Sequence, residues 1–176
     1  MNRGQSDFAR FYEEHVWRVY GFLAYRVRDH ALAEDLTQAT FERALRAWSR
    51  FDRRRATEET WLLTIARNLL IDDYRQNRPV PVEIIDERVV PAVPGPEQRF
   101  AGSAELLEAL AHLSERDLEV LALRFGGDLD GPAIASMVGL SVANVQQIQS
   151  RSLRKLRTLL AGDLEPSAAP TAHRRP

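Results

Sequence analysis

The chain has 176 residues, no cysteine, a formal net charge of −1 and a hydrophobic content of 44%. That is enough for one ordinary domain or two small ones, and it excludes disulfides, thiolate metal sites and a uniformly basic nucleic-acid coat. No apolar run approaches the roughly 20 residues of a membrane span, and MNRGQSDFAR lacks the apolar core of a signal peptide, so the expectation is a cytoplasmic protein without membrane insertion.

His15, His30, His112 and His173 show no ligand spacing, so neither a metal nor a cofactor is expected. The charge is segregated: residues 79–140 hold 4 arginines against 11 acids, whereas residues 141–162 hold 4 cations and no acid. Such a chain suits limited contact with DNA and with another macromolecule elsewhere.

Asp7 to Arg28 reads as an amphipathic helix, with Phe8, Phe11, Tyr12, Val16, Val19, Tyr20, Leu23 and Val27 recurring at helical intervals. After a turn at Asp29–His30, Ala31 to Trp48 is rich in strong helix formers. Leu32, Leu36, Phe41, Ala44, Leu45 and Trp48 form its expected buried stripe, leaving Glu34, Asp35, Gln38, Glu42 and Arg43 outside. Phe51 to Glu59 breaks the pattern with Arg53, Arg54 and Arg55, a basic loop of a kind that is usually solvated but that, between two packed helices, could also reach a phosphate backbone. The next helix, Thr60 to Arg78, interleaves Trp61, Leu62, Ile65, Leu69 and Tyr74 with Arg67, Asn68, Arg75 and Arg78. Aromatic rings among cations suit single-stranded nucleic acid, although tryptophan in a helix is more often core.

From Pro79 the helical pattern stops. PVPVEIIDERVVPAVPGPEQ contains five prolines and the acids Glu83, Asp86, Glu87 and Glu97, and residues 79–103 read as an extended acidic linker. A second unit spans residues 104–163. Leu106, Leu107, Leu110 and Leu113 line one helix, Ser114 caps the next, and Gly126–Gly127 ends that one. Residues 164–176 lack apolar periodicity and are expected to be disordered.

Asp130 to Leu156 reads as a helix-turn-helix with a basic extension. Asp130 and Pro132 start a short helix, Gly139 takes the turn, and Ser141 caps a second helix. Ile134, Ala135, Val138, Leu140, Val145 and Ile148 face one another; Ser141, Asn144, Gln146, Gln147, Ser150, Arg151 and Arg154 form a polar, then cationic, outer face. Base-reading side chains near a helix N-terminus with cations further along are what a major-groove helix needs. Taken alone, the same window also fits an ordinary helical hairpin with a solvated face.

Together these blocks resemble the extracytoplasmic-function (ECF) sigma factors of the sigma-70 family. AEDLTQATFERALR (Ala33–Arg46) looks like region 2.2, WLLTIARNLLIDDYR (Trp61–Arg75) like regions 2.3 and 2.4, and LSERDLEVLALRF with the helix-turn-helix like region 4. The resemblance implies an all-α fold, with region 2 in residues 1–78 and region 4 in residues 104–163. It implies that Asp35, Leu36, Thr37 and Gln38 bind the β′ clamp helices of core RNA polymerase, and that region 4 also meets the β flap. Arg53, Arg54, Arg55, Trp61, Arg67, Asn68 and Arg75 would engage the promoter minus-10 element. Ser141, Asn144, Gln146, Gln147, Ser150, Arg151 and Arg154 would read the minus-35 element. Anti-sigma factors are common partners in the family.

This chain departs from the pattern at two places. Ala39 stands where a glutamate is usual, and Val145-Gln146-Gln147-Ile148-Gln149 stands where V-K-S-R-L is common. Two cations are lost, which implies weaker and less salt-sensitive DNA binding by this unit. The apolar position also moves from 149 to 148.

The reading is a transcription initiation factor, and no nucleophile–base pair or phosphate-cradling loop suggests an enzyme. A sigma-like interaction protein that binds polymerase or a regulator without initiating is the alternative. A plain helix-turn-helix repressor leaves the first 78 residues unexplained.

Overall fold

The computed structural model describes residues 3–27, 29–76 and 104–162, and all the elements among them are helical. The expected linker 79–103, Arg78 and the expected disordered tail 164–176 lie outside the described residues.

Helix α1 (Arg3–Val27) packs along both α2 (His30–Ala47) and α3 (Glu58–Gln76), and α2 packs on α3, making a three-helix bundle. Asp29 starts α2 by accepting a hydrogen bond from the Leu32 amide at 3.1 Å, a cap that the sequence reading left inside a turn. A 3₁₀ turn, Trp48–Arg50, ends the α2 segment. Thr37 and Thr40, though buried, donate to the Ala33 and Leu36 carbonyls one turn back, both at 2.7 Å, so neither hydroxyl is orphaned.

In the second unit, α4 (Ala104–Ala111) and α5 (Glu115–Leu121) lean on the long α7 (Val142–Gly162) around Ala109, Leu110, Leu118, Leu121 and Leu156. Ser114 caps α5, accepting from the Asp117 amide at 3.2 Å, and the helix widens into a π-helical turn, Ala122–Gly126. Helix α6 (Gly131–Val138) then packs on α7. Asp130 caps it, accepting from the Ala133 amide at 2.8 Å. Gly139 closes it at φ 69, where a side chain would be strained although the surrounding space is open. Ser141 accepts from the Asn144 amide at 3.2 Å and begins α7. Ile134, Ala135, Val138, Val145 and Ile148 are buried between α6 and α7, as their spacing predicts.

Two features differ from the sequence reading. Tyr12 and Leu45, expected in buried stripes, are 44% and 53% exposed. Phe22, on no predicted stripe, is fully buried. The cause is that α1 is covered on a second side: its Gly21–Phe22 backbone lies against the π turn so closely that a Cβ on Gly126 would stand 2.5 Å from the Gly21 carbonyl carbon. The two units therefore share one continuous apolar cluster, running from Phe11 and Leu63 through Leu123 to Ile134 and Ile148. A helix packed on several sides reads as apolar nearly all round, and a single-stripe template sees only part of it.

Candidate functional site

Three surfaces carry the residues singled out by sequence. The first lies between α1 and α2. Asp35 and Gln38 are exposed on α2, and Gln38 donates to Glu42 Oε1 at 3.2 Å. Leu36 and Thr37 are not available in the same way: Leu36 is buried in the core and Thr37 is spent on its own helix, so these two support the surface rather than present it. Beside them opens a groove of about 510 Å³, lined by Tyr12, Trp17, Thr37, Gln38, Phe41 and Leu45. Trp17 is 40% exposed there. Apolar side chains left half-exposed together are a common feature of docking surfaces and ligand grooves. Sequence periodicity missed this groove because it assigned Tyr12 and Leu45 to the interior.

The second surface is the loop 51–57 with the N-terminal part of α3. Asp52 folds the loop, accepting from the Arg54 amide at 2.9 Å, and the Thr57 hydroxyl caps α3 by accepting from the Thr60 amide at 3.2 Å. Arg54 and Arg55 stand in solvent. Arg53 lies 6.0 Å from the Trp48 ring centroid and is tied to Glu58, its Nε 2.8 Å from Oε1. Trp61 is no free platform: it is half-buried and stacks on Phe51 with ring centroids 4.5 Å apart, beside Trp48 and Phe11. Asn68 and Arg75 are exposed, but Arg67 donates to Glu119 of α5 at 2.7 Å. The structure thus brings the loop and Asn68 to the surface and withholds Arg67.

Glu58 anchors this loop. Its partial burial alone would raise the carboxyl's pKa, but hydrogen bonds from Arg53 and His15, with the charges of both, hold it below its ordinary value of 4.5. A depressed carboxyl contributes stability that is fully present above 4.5 and is lost as pH falls through the depressed value. Glu58→Gln is accordingly expected to lower the thermal midpoint at neutral pH, and the gap to wild type should close on acidification below 4.5 in melts followed by circular dichroism.

The third surface is the outer face of α7. Ser141, Asn144, Gln146, Gln147, Ser150, Arg151 and Arg154 are all exposed, while Val145 and Ile148 turn inward. Arg151 pairs with Asp117 within the same unit at 2.5 Å and Lys155 donates to the His112 carbonyl, while Arg154 and Arg157 stand exposed on this face. The inward shift to position 148 leaves Gln149 half-buried, its side-chain nitrogen enclosed without a hydrogen-bond partner. Unpaired buried amides cost about 1–3 kcal/mol. Gln149→Leu should therefore raise the urea midpoint, by about 1 kcal/mol of unfolding free energy; an unchanged or lower midpoint would contradict the burial.

On the far side of α7 a smaller apolar hollow of about 180 Å³ is lined by Leu106, Leu110, Leu121, Phe125, Leu153 and Leu156. Phe125 and Leu153 are exposed at its rim.

Comparison with known proteins matches the chain to one family. Residues 11–80 match the family model described as sigma-70 region 2, and residues 109–158 match sigma-70, region 4. The RNA polymerase sigma factor CarQ of Myxococcus xanthus is 34% identical over 163 residues, covering 92% of each chain. The ECF RNA polymerase sigma factor BldN of Streptomyces coelicolor is 34% identical over 166 residues, covering 91% of this chain and 63% of BldN, so this chain spans less than two thirds of that relative. Among solved structures, the sigma factor RpoE in complex with the anti-sigma factor NepR from Bartonella quintana superposes with a TM-score of 0.72 at 24% identity, over 89% of this chain and 98% of that one, a likeness of fold.

Proposed function

The chain belongs to the sigma-70 family, in its ECF branch, and from that premise we propose how its surfaces divide the work of promoter-directed initiation. As a transcription initiation factor it binds core RNA polymerase and directs it to promoters.

The groove between α1 and α2, rimmed by Asp35 and Gln38, receives the β′ clamp helices. Its half-exposed Tyr12, Trp17 and Leu45 supply apolar area and the polar rim fixes orientation. The hollow under Phe125 and Leu153 suits the β flap for the same reason. The loop 51–57, with Arg53, Arg54 and Arg55, and the α3 face bearing Asn68 and Arg75 engage the minus-10 element. Strand separation becomes affordable where extruded bases gain contacts and the backbone gains arginines. Trp61, already stacked within the bundle, shapes this surface from below. The exposed face of α7 reads the minus-35 element. Catalysis of nucleotide addition stays with the polymerase, and no covalent step is assigned to these residues.

The observation that carries this reading is the α7 face: base-reading amides and hydroxyls outward, Val145 and Ile148 inward, on the second helix of a helix-turn-helix. Run-off transcription with purified core polymerase tests it. A transcript that depends on the added protein is expected. Polymerase binding without transcripts would instead identify an interaction protein that does not initiate.

A further inference from the structure

Beneath the basic loop, one buried histidine makes fewer hydrogen bonds than its burial calls for. His15, on α1, is 5% exposed, yet its Nδ1 is enclosed with no hydrogen-bond partner among the described residues. Its Nε2 lies 3.4 Å from Oε2 of Glu58, longer than the roughly 2.7–3.2 Å of an ordinary N–H···O bond. Buried polar groups are as a rule satisfied, and here a single long contact serves both ring nitrogens.

The ring lies among carboxylates. One ligand atom each from Glu14, His15 and Glu58 lies within 4.8 Å of the others. Glu58 gives Oε1 to Arg53 and turns Oε2 toward His15. The Oε1 of Glu14 has the exposed Arg10 at 3.4 Å, a pairing of the kind that contributes little. Asp7, two turns before Glu14 on α1, joins these two acids, Arg10, Arg53 and Phe11 around a hollow of about 150 Å³. Three carboxylates against two guanidiniums leave this lining one negative charge in excess, which favours a cation.

The spacing suits a metal better than a proton. An ion bonded to nitrogen and oxygen at about 2.1 Å holds tetrahedral neighbours about 3.4 Å apart, the separation already present between Nε2 and Oε2. The Glu14 side chain, 54% exposed, is free to change rotamer and bring its carboxylate in, and water can take the fourth position. One imidazole with two carboxylates fits zinc or a neighbouring first-row dication, rather than copper(I) with its soft ligands or calcium with its all-oxygen shell.

We propose that Glu14, His15 and Glu58 form a divalent transition-metal site that ties α1 to the start of α3. Histidine spacing along the chain does not announce it, because the site takes one histidine, its neighbour and a glutamate 43 residues on. One consequence rests on the promoter reading. The ion competes with Arg53 for the charge of Glu58 and adds positive charge beside the exposed Arg54 and Arg55, so occupancy strengthens the hold of the loop on the minus-10 strand.

The test uses the full chain, stripped with a chelator and dialysed. Added zinc should bind with one equivalent in calorimetry and raise the thermal midpoint to a plateau. Cobalt(II) should give the strong visible bands of a four-coordinate centre. Glu14→Gln, at an exposed position that leaves the core intact, should lose the bands and weaken zinc binding by about tenfold or more. His15→Gln should do the same, and Glu14→Gln decides the matter if that buried variant does not fold. No saturable zinc binding, or unchanged affinity in Glu14→Gln, overturns the site whether or not the protein initiates transcription. Saturating zinc should also tighten binding of a single-stranded minus-10 oligonucleotide by the wild type severalfold and leave Glu14→Gln unaffected. An equal effect on both proteins, or none on the wild type, overturns the link to the loop, and the zinc titration then decides the site by itself.

Discussion

Replacing Ile134 with alanine is expected to lower the unfolding free energy by about 3 kcal/mol, because a fully buried aliphatic chain truncated between two helices loses its transfer energy and leaves a cavity. The position is sensitive for a reason visible in the fold. Ile134 belongs to the cluster that joins α6 and α7 to the π turn and the first unit, so no single mobile element can collapse into the gap. Urea unfolding measures the loss directly. Substitution at Arg157, exposed on α7, should change the midpoint little by comparison.

Gln147→Ala carries the largest expected effect on specificity. Glutamine can pair bidentately with adenine through its amide, and such a pair is worth about 1–3 kcal/mol of discrimination, which is roughly tenfold or more in relative affinity. Gln147 is exposed on α7, six residues beyond the Ser141 cap and three beyond Asn144. In a library of promoters randomised at the minus-35 element, the variant should lose preference at one position while keeping overall activity within the same order. Unchanged preference would remove Gln147 from base reading. Gln146 and Ile148 stand where the family commonly carries cations, so salt should weaken the DNA affinity of this unit less steeply than a lysine-bearing helix would show.

The parts legible in the sequence are those set by neighbours along the chain. Asp130, Gly139, Ser141 and Ser114 act on amides or a φ angle within three residues, and each sits in the structure where the sequence places it. The inward shift from 149 to 148 on α7 is likewise a matter of helical period. What the sequence hides depends on partners far away in number. Nothing near Arg67 announces that Glu119, 52 residues on, will hold it. Phe22 is buried only because a later segment covers that side of α1, and Gly21 looks unremarkable until Gly126 arrives against it. The groove between α1 and α2 escaped for the opposite reason. Tyr12 and Leu45 fit an apolar stripe, but the stripe is wider than its helical partners can cover, and the uncovered edge lines the groove.

The Arg67–Glu119 pair gives substitution of Arg67 two consequences. An exposed arginine on a nucleic-acid face would make loss of DNA affinity the whole meaning of an Arg67→Ala phenotype. Here the same substitution also breaks the pair with Glu119, so a loss of DNA affinity in that variant would not by itself place Arg67 against DNA.

The most direct test of the central claim is a DNase footprint of the reconstituted holoenzyme on promoters that it enriches from genomic fragments. The account predicts protection over the minus-10 and minus-35 elements together, with the minus-35 part lost selectively when Gln146, Gln147 and Arg154 are replaced by alanine. Protection of one element alone in the wild type, or none that depends on this protein, would contradict it.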